Sequence, residues 1–104
     1  MTKERTISWI FMSVGMTSSK EEPANLNEIS MMADIINHAV PNPDELQSSI
    51  RWLIEKNFVT NKNEKYHLTE SGLIEFDKSM KKSGRFARWD YLENVVKNYA
   101  QHRI

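Results

Sequence analysis

The chain has 104 residues, enough for one small domain with a modest hydrophobic core. It has no cysteine, which excludes disulfides and thiolate chemistry, and its 14 basic and 14 acidic residues give a formal net charge of zero. No apolar run approaches the ~20 residues of a membrane span, so we expect a cytoplasmic protein with no membrane partner.

The first predicted helix covers residues 4–17. Its expected buried stripe, at helical spacing, consists of Ile7, Ile10, Phe11 and Val14. Trp9 and Met12 lie off that stripe, and we expect them to meet the C-terminal helix.

A second helix is predicted over residues 25–39. Asn25 can cap it, and Glu28 stands three residues later, as a capping box requires. Its apolar face consists of Leu26, Ile29, Met32, Ala33, Ile36 and Val40.

A third helix is predicted over residues 43–56. Asn42 is the expected cap, Pro43 takes the first helical position and Glu45 completes a capping box. The expected buried face consists of Leu46, Ile50, Leu53 and Ile54. The opposite face carries Asp44, Glu45, Ser48, Arg51, Trp52 and Glu55.

A β-hairpin is predicted over residues 58–69. Asn57 suits the left-handed backbone that ends a helix, and residues 61–64 have the composition of a turn. Tyr66 and Leu68 alternate onto one face of the return strand, and His67 is expected in solvent.

Two more helices are predicted, over residues 70–82 and 85–102, and Thr69 can cap the first of them. The first is expected to bury Leu73, Ile74, Phe76 and Met80. The second has a long apolar stripe of Phe86, Trp89, Leu92, Val95, Val96 and Tyr99. This stripe must cover helix one or a second copy, which makes a homodimer through helices one and five possible. The predicted fold class is mainly α with a small β-hairpin, in a single domain over residues 1–104.

The order helix, helix, helix, hairpin, helix, with the phrase L…SI..LIEKNFVTNKNEKYHLTESG, resembles the winged-helix (winged helix-turn-helix) superfamily, in its small single-domain bacterial type. The matching residues are Leu46, Ile50, Leu53, Ile54, Phe58, Val59, Tyr66, Leu68, Thr69 and Gly72. The resemblance covers roughly residues 25–80, with a helix added after them. It implies DNA binding by the third helix and by basic residues of the hairpin, or a protein-interaction role, because one fold hosts many activities.

The exposed face of the third helix departs from the DNA-binding pattern. Its carboxylates, Asp44, Glu45 and Glu55, would repel phosphates, and Arg51 alone is a good base or phosphate contact. A half-exposed tryptophan beside an arginine, as at Trp52, is typical of a protein-binding hot spot. The alternative is that Trp52 packs against the hairpin or helix one.

A run of cations straddles the end of the fourth helix: Lys78, Lys81, Lys82, Arg85 and Arg88. The run can simply oppose the helix dipole, or it can contact phosphates together with Lys62 and Lys65 of the hairpin.

Catalytic chemistry is not indicated. The three histidines, at positions 38, 67 and 102, have no metal-ligand spacing, and none of the three glycines forms a phosphate-binding loop. We therefore expect neither an enzyme nor a cofactor or metal.

Two functions remain. The first is a protein-binding module of the immunity or antitoxin type, which would mask a partner protein such as a cognate toxin through Glu45, Ser48, Arg51, Trp52 and Glu55. The second is a winged-helix transcriptional regulator that binds double-stranded DNA through Arg51, Lys62, Lys65 and the run from Lys78 to Arg88.

Overall fold

The structure, a computed structural model, describes residues 1–101 and contains five helices and one two-stranded hairpin. In chain order the elements are α1 (Lys3–Thr17), α2 (Leu26–Asn37), α3 (Pro43–Glu55), β1 (Val59–Lys62), β2 (Lys65–Leu68), α4 (Glu70–Met80) and α5 (Arg85–Gln101). The predicted fold class, mainly α with a small β-hairpin, is confirmed. The predicted last position of α5, His102, lies outside the described residues.

The starts of the helices follow from their caps. Asn25 accepts a hydrogen bond from the Glu28 N–H (2.8 Å), and the Glu28 carboxylate accepts one from the Asn25 N–H (3.0 Å). Asn42 and Glu45 repeat this capping box with the same two distances. Thr69 caps α4 through its hydroxyl oxygen. The predicted starts of these three helices are therefore fixed by local side-chain chemistry.

Three helices end earlier than predicted, and α3 stops at Glu55 instead of residue 56. Helix α2 stops at Asn37 instead of residue 39, because His38 adopts a left-handed backbone with φ of 53°. Helix α4 stops at Met80 instead of residue 82, where the next backbone bonds tighten to three-residue spacing. Asn57, which follows α3, has φ of 62°, as its position predicted.

Helix α1 lies at the centre of the molecule and contacts α2, α3 and α5. All its side chains from Thr6 to Val14 are buried, so the prediction of a single buried stripe was too narrow. Trp9 stacks against Trp89 of α5, with 6.3 Å between ring centroids, and its Nε1 donates to the Ala33 carbonyl (2.9 Å). The expectation that Trp9 meets the C-terminal helix is confirmed.

The hairpin is antiparallel, with Val59 opposite Leu68 and Lys62 opposite Lys65. The two turn residues between the strands both have positive φ, 55° and 63°, as a two-residue hairpin with the right twist requires. The asparagine of the predicted turn, Asn61, accepts a hydrogen bond from a turn amide at 2.9 Å.

A third segment joins the hairpin at its outer edge. The Ala24 N–H donates to the Tyr66 carbonyl (2.8 Å), and the Tyr66 N–H donates to the Ala24 carbonyl (2.7 Å). The strand β2 is also contacted by α1 and α4. For this reason His67 is buried, and the prediction that it lies in solvent was wrong.

Helix α4 packs through a narrow side formed by Gly72, Phe76 and Ser79. A Cβ at Gly72 would collide with the Phe58 carbonyl oxygen, so this helix approaches the chain after α3 more closely than a larger residue allows. Leu73 and Ile74 consequently point away and are about half exposed, at 49% and 50%. The prediction that these two side chains are buried was wrong.

Helix α5 covers α1 of the same chain through Trp89, Leu92 and Val96. Phe86 and Tyr99, at the two ends of the predicted stripe, are 60% and 40% exposed instead of buried. The faces of α1 and α5 that would form a dimer pack on each other within the chain, and the homodimer stays a prediction.

Candidate interaction surface

Helix α3 keeps one full side free of the core. Leu46, Ile50 and Leu53 anchor it, and the side chains opposite them face solvent. The outward set, which we name the α3 ridge, consists of Asp44, Gln47, Ser48, Arg51, Ile54 and Glu55. The ridge follows from helical periodicity, since these positions recur at intervals of three and four residues.

The ridge is bordered by a hollow on each side. One, of about 230 Å³, lies between α3 and the start of α1 and is lined by Met1, Lys3, Thr6, Ile7, Glu45, Ser48 and Ser49. The other, of about 280 Å³, lies against α2 and β2 and is lined by Leu26, Gln47, Ile50, Arg51, Ile54 and Tyr66. A third, open hollow of about 450 Å³ lies on the ridge itself, so a partner can place side chains on the ridge and in the grooves on either side of it.

The charges of the ridge are unused within the molecule. Among residues 1–101, Arg51, Asp44 and Glu55 form no ion pair and no side-chain hydrogen bond. Glu45, in contrast, is occupied by its capping-box bond, and the Ser48 hydroxyl donates weakly to the Glu45 carbonyl at 3.4 Å. Of the predicted partner-binding residues, Arg51 and Glu55 thus present free charge, whereas Glu45 also fixes the helix start.

Trp52 lies off the ridge and is half-buried. Its ring centroid is 6.5 Å from that of Phe58, and the Lys56 Nζ lies 5.8 Å above it. It also lines a small cavity of about 90 Å³ between α1, α3 and α5. Of the two interpretations of Trp52, the structure favours packing, with the ring against the core beside Phe58, the first residue of the predicted hairpin.

The residues predicted to contact nucleic acid lie on three different elements. Arg51 belongs to α3, whereas Lys62 and Lys65 stand opposite each other at the hairpin tip, and both are exposed. The remaining cations lie at the junction of α4 and α5. There Lys78, Lys81, Lys82 and Arg85 are exposed, and Arg88 is half-buried.

Two ridge residues were missed by the sequence interpretation. Gln47 stands one helical turn before Arg51, so periodicity alone could have identified it. Ile54 was assigned to the core but is 37% exposed and lines the second groove. An isoleucine at the edge of an apolar face gives no local signal of exposure, because its neighbours in space decide it.

Within residues 1–101, no group of three potential ligand side chains lies close enough to hold a metal ion. In the same part of the chain, no helix combines the length and hydropathy that crossing a membrane requires.

No protein-family model matches the chain, and neither a curated protein nor a solved structure matches it. No relative therefore supplies a function, and the α3 ridge is the feature from which one can be inferred.

Proposed function

We propose that the protein is a small protein-binding module that uses the α3 ridge. The observation that carries this proposal is the set of unused charges on the ridge, Arg51 between Asp44 and Glu55, with a groove on each side. Asp44 can also stabilise the start of α3 through the helix dipole, but charges without an ion pair or a side-chain hydrogen bond are available for charge-assisted hydrogen bonds to another molecule.

The chemistry of the ridge favours a partner that is basic overall. Its two free carboxylates outnumber its one arginine, which would repel phosphate and attract lysine or arginine side chains. Ile54 adds an apolar contact at the rim of the second groove. An arginine near the centre of such a patch is a favourable anchor, because arginine is enriched among hot-spot residues.

We further propose that the module is of the immunity or antitoxin type, acts in the cytoplasm and belongs to the winged-helix class. The winged-helix assignment is supported by the order of three helices, a hairpin and a further helix. The masking role is supported by the small size of the chain and by the free ridge, which one partner can cover completely.

The test uses a photo-crosslinking residue at Gln47, in cells that make the protein. We expect one discrete adduct, and we expect the additional change Arg51→Glu to remove it. The matched control places the same residue at Asp77, on the exposed side of α4, where no adduct is expected. Equal adducts at both positions, or none at Gln47, would contradict the use of the ridge.

Double-stranded DNA is the second candidate, and one observation favours it. Lys62 and Lys65 are directly opposed across the hairpin, an arrangement of like charges that costs stability unless an anion lies nearby. Fluorescence anisotropy of random duplex DNA at low and at physiological salt tests this candidate. Binding that falls steeply with salt, and less steeply for Lys62→Ala/Lys65→Ala, would favour DNA over a protein partner.

A further inference from the structure

A second charged surface lies at the junction of α4 and α5, away from α3 in the sequence. We name residues 78–88 the basic corner. Every residue from 81 to 87 is exposed, and the cations of the corner are Lys78, Lys81, Lys82, Arg85 and Arg88. Within residues 1–101, the first four form no ion pair and no side-chain hydrogen bond, whereas the Arg88 side chain donates one to the Lys82 carbonyl.

The corner has a defined convex shape. Gly84 has φ of 94°, and a side chain built there would meet no atom within 4 Å, so the turn protrudes into open space. The Arg88 Nε donates to the Lys82 carbonyl (3.1 Å), and the Arg88 N–H donates to the Gly84 carbonyl (3.2 Å). These two bonds close the turn from the inside and leave its outer surface free.

The base of the corner is held by Tyr91, whose hydroxyl donates to the Glu75 carboxylate at 2.8 Å and so joins α5 to α4. Burial, followed by this hydrogen bond, raises the pKa of Tyr91 above its ordinary value. The Lys82 Nζ lies 5.5 Å from the Tyr91 ring. Tyr91 therefore fixes the position of α5 relative to α4 next to the protruding turn.

An aromatic ring stands among these cations. Phe86 is 60% exposed, and the Arg85 guanidinium carbon lies 5.0 Å from the centre of its ring. A phenylalanine left in water forgoes the stabilisation that burial would give, and phosphate contacts alone would not use it. A ligand that offers both negative charge and an apolar region would contact the cations and Phe86 together.

We propose that the basic corner docks on the surface of an anionic lipid bilayer. Phe86 enters the boundary between headgroups and acyl chains, and the four cations without an ion pair contact headgroup phosphates. A bilayer fits the convex shape, whereas single-stranded nucleic acid binds in grooves lined with aromatic rings. The expectation of no membrane partner was based on the lack of a spanning segment, which has no bearing on a surface contact.

The contact is reversible and salt-sensitive, because each cation near an anionic surface strengthens binding by only about fivefold. It is independent of the α3 ridge, which lies on other elements. The crosslinking test at Gln47 and the vesicle test of the basic corner are therefore independent. Either test can fail without affecting the other proposal.

The experiment is sedimentation of the purified protein with phosphatidylcholine vesicles, with and without about one third phosphatidylglycerol. We expect binding only to the anionic vesicles. Lys81→Ala/Lys82→Ala should weaken it about 25-fold, and Phe86→Ala about tenfold. Phe86 makes little contact with the core, so this variant should keep its circular dichroism spectrum.

The control Lys62→Ala/Lys65→Ala makes the same change of net charge at the hairpin tip, and Ile35→Ala removes a similarly exposed apolar side chain from α2. Both should leave vesicle binding unchanged within about twofold. The proposal is overturned if anionic vesicles do not bind, or if the controls weaken binding as much as the corner variants. It is also overturned if a single-stranded oligonucleotide binds more tightly and depends equally on Phe86.

Discussion

Helices α1 and α3 are of similar length, 15 and 13 residues, yet they serve the molecule in opposite ways. Helix α1 is buried on every side from Thr6 to Val14, so nearly every side chain there helps to hold the fold. Helix α3 buries one side and leaves the ridge free. A surface that the fold does not need for its own stability is the part of the sequence that can be shaped by a partner.

The largest expected effect is on α1. Trp9→Ala removes a ring that is 1% exposed, stacks on Trp89 and donates to the Ala33 carbonyl. We expect a loss of about 3–5 kcal/mol in the free energy of unfolding, measured by urea denaturation. Trp9→Phe keeps an aromatic ring and should lose clearly less. A loss below about 1 kcal/mol for Trp9→Ala would mean that α1 is not the central helix.

The next largest loss of stability is expected at Gly72, where α4 packs against the chain that follows α3. Gly72→Ala would force a Cβ against the Phe58 carbonyl oxygen, and Phe58 is fully buried directly after α3. Overpacking of this kind costs about 1–3 kcal/mol, and backbone atoms cannot move aside as a side-chain tip can. Thermal unfolding measures the loss. Gly15→Ala, whose Cβ would come closest to the side-chain ring of Phe76 and not to backbone, is the comparison and should cost less.

A smaller effect is expected at the start of α3. Asn42→Ala removes the bond to the Glu45 amide and should cost about 1 kcal/mol. Asn25→Ala makes the same change at α2, where the bond has the same length, and should cost the same amount. Urea denaturation measures the loss of stability in both variants. A much larger loss for Asn42→Ala would show that Asn42 stabilises α3 by more than its capping bond.

The smallest effect on stability, and the largest on function, is expected on the ridge itself. Arg51→Ala should change the free energy of unfolding by less than about 0.5 kcal/mol, because Arg51 has no internal partner within residues 1–101. Binding of the partner identified by crosslinking should weaken by about 2 kcal/mol or more, measured by calorimetry. Lys62→Ala, a cation on the hairpin, is the control. If Arg51→Ala lost as much stability as Asn42→Ala, the ridge would be needed for the fold, and α3 would not differ from α1 in this respect.

Features that depend only on neighbouring residues in the chain were predicted correctly. The caps at Asn25, Asn42 and Thr69, and the left-handed Asn57, depend on residues within three or four positions, and all four were predicted correctly. The candidate interaction surface could be predicted only in part, since periodicity places Arg51 and Glu55 on the outer side of α3 but gives no information on neighbouring elements.

Contacts between distant parts of the chain could not be predicted from the sequence. The burial of His67 depends on the approach of α1 and α4 to β2, and the exposure of Leu73 depends on the narrow side through which α4 packs. Trp52 is half-buried because its ring packs beside Phe58, on a flank of α3 that shares a small cavity with α1 and α5. For His67 and Leu73 the residue type alone predicts the wrong environment: a histidine is expected in solvent, and a leucine is expected in the core.

The pair of backbone bonds between Ala24 and Tyr66 also has a kinetic consequence. The hairpin can form from neighbouring residues, but its outer edge is completed only when a loop of about forty residues, containing α2 and α3, has closed. We therefore infer that this edge forms late in folding. In the native protein the Tyr66 amide proton should exchange with solvent only when the segment at Ala24, which leads into α2, opens away from β2, so its exchange rate reports how tightly this edge is held.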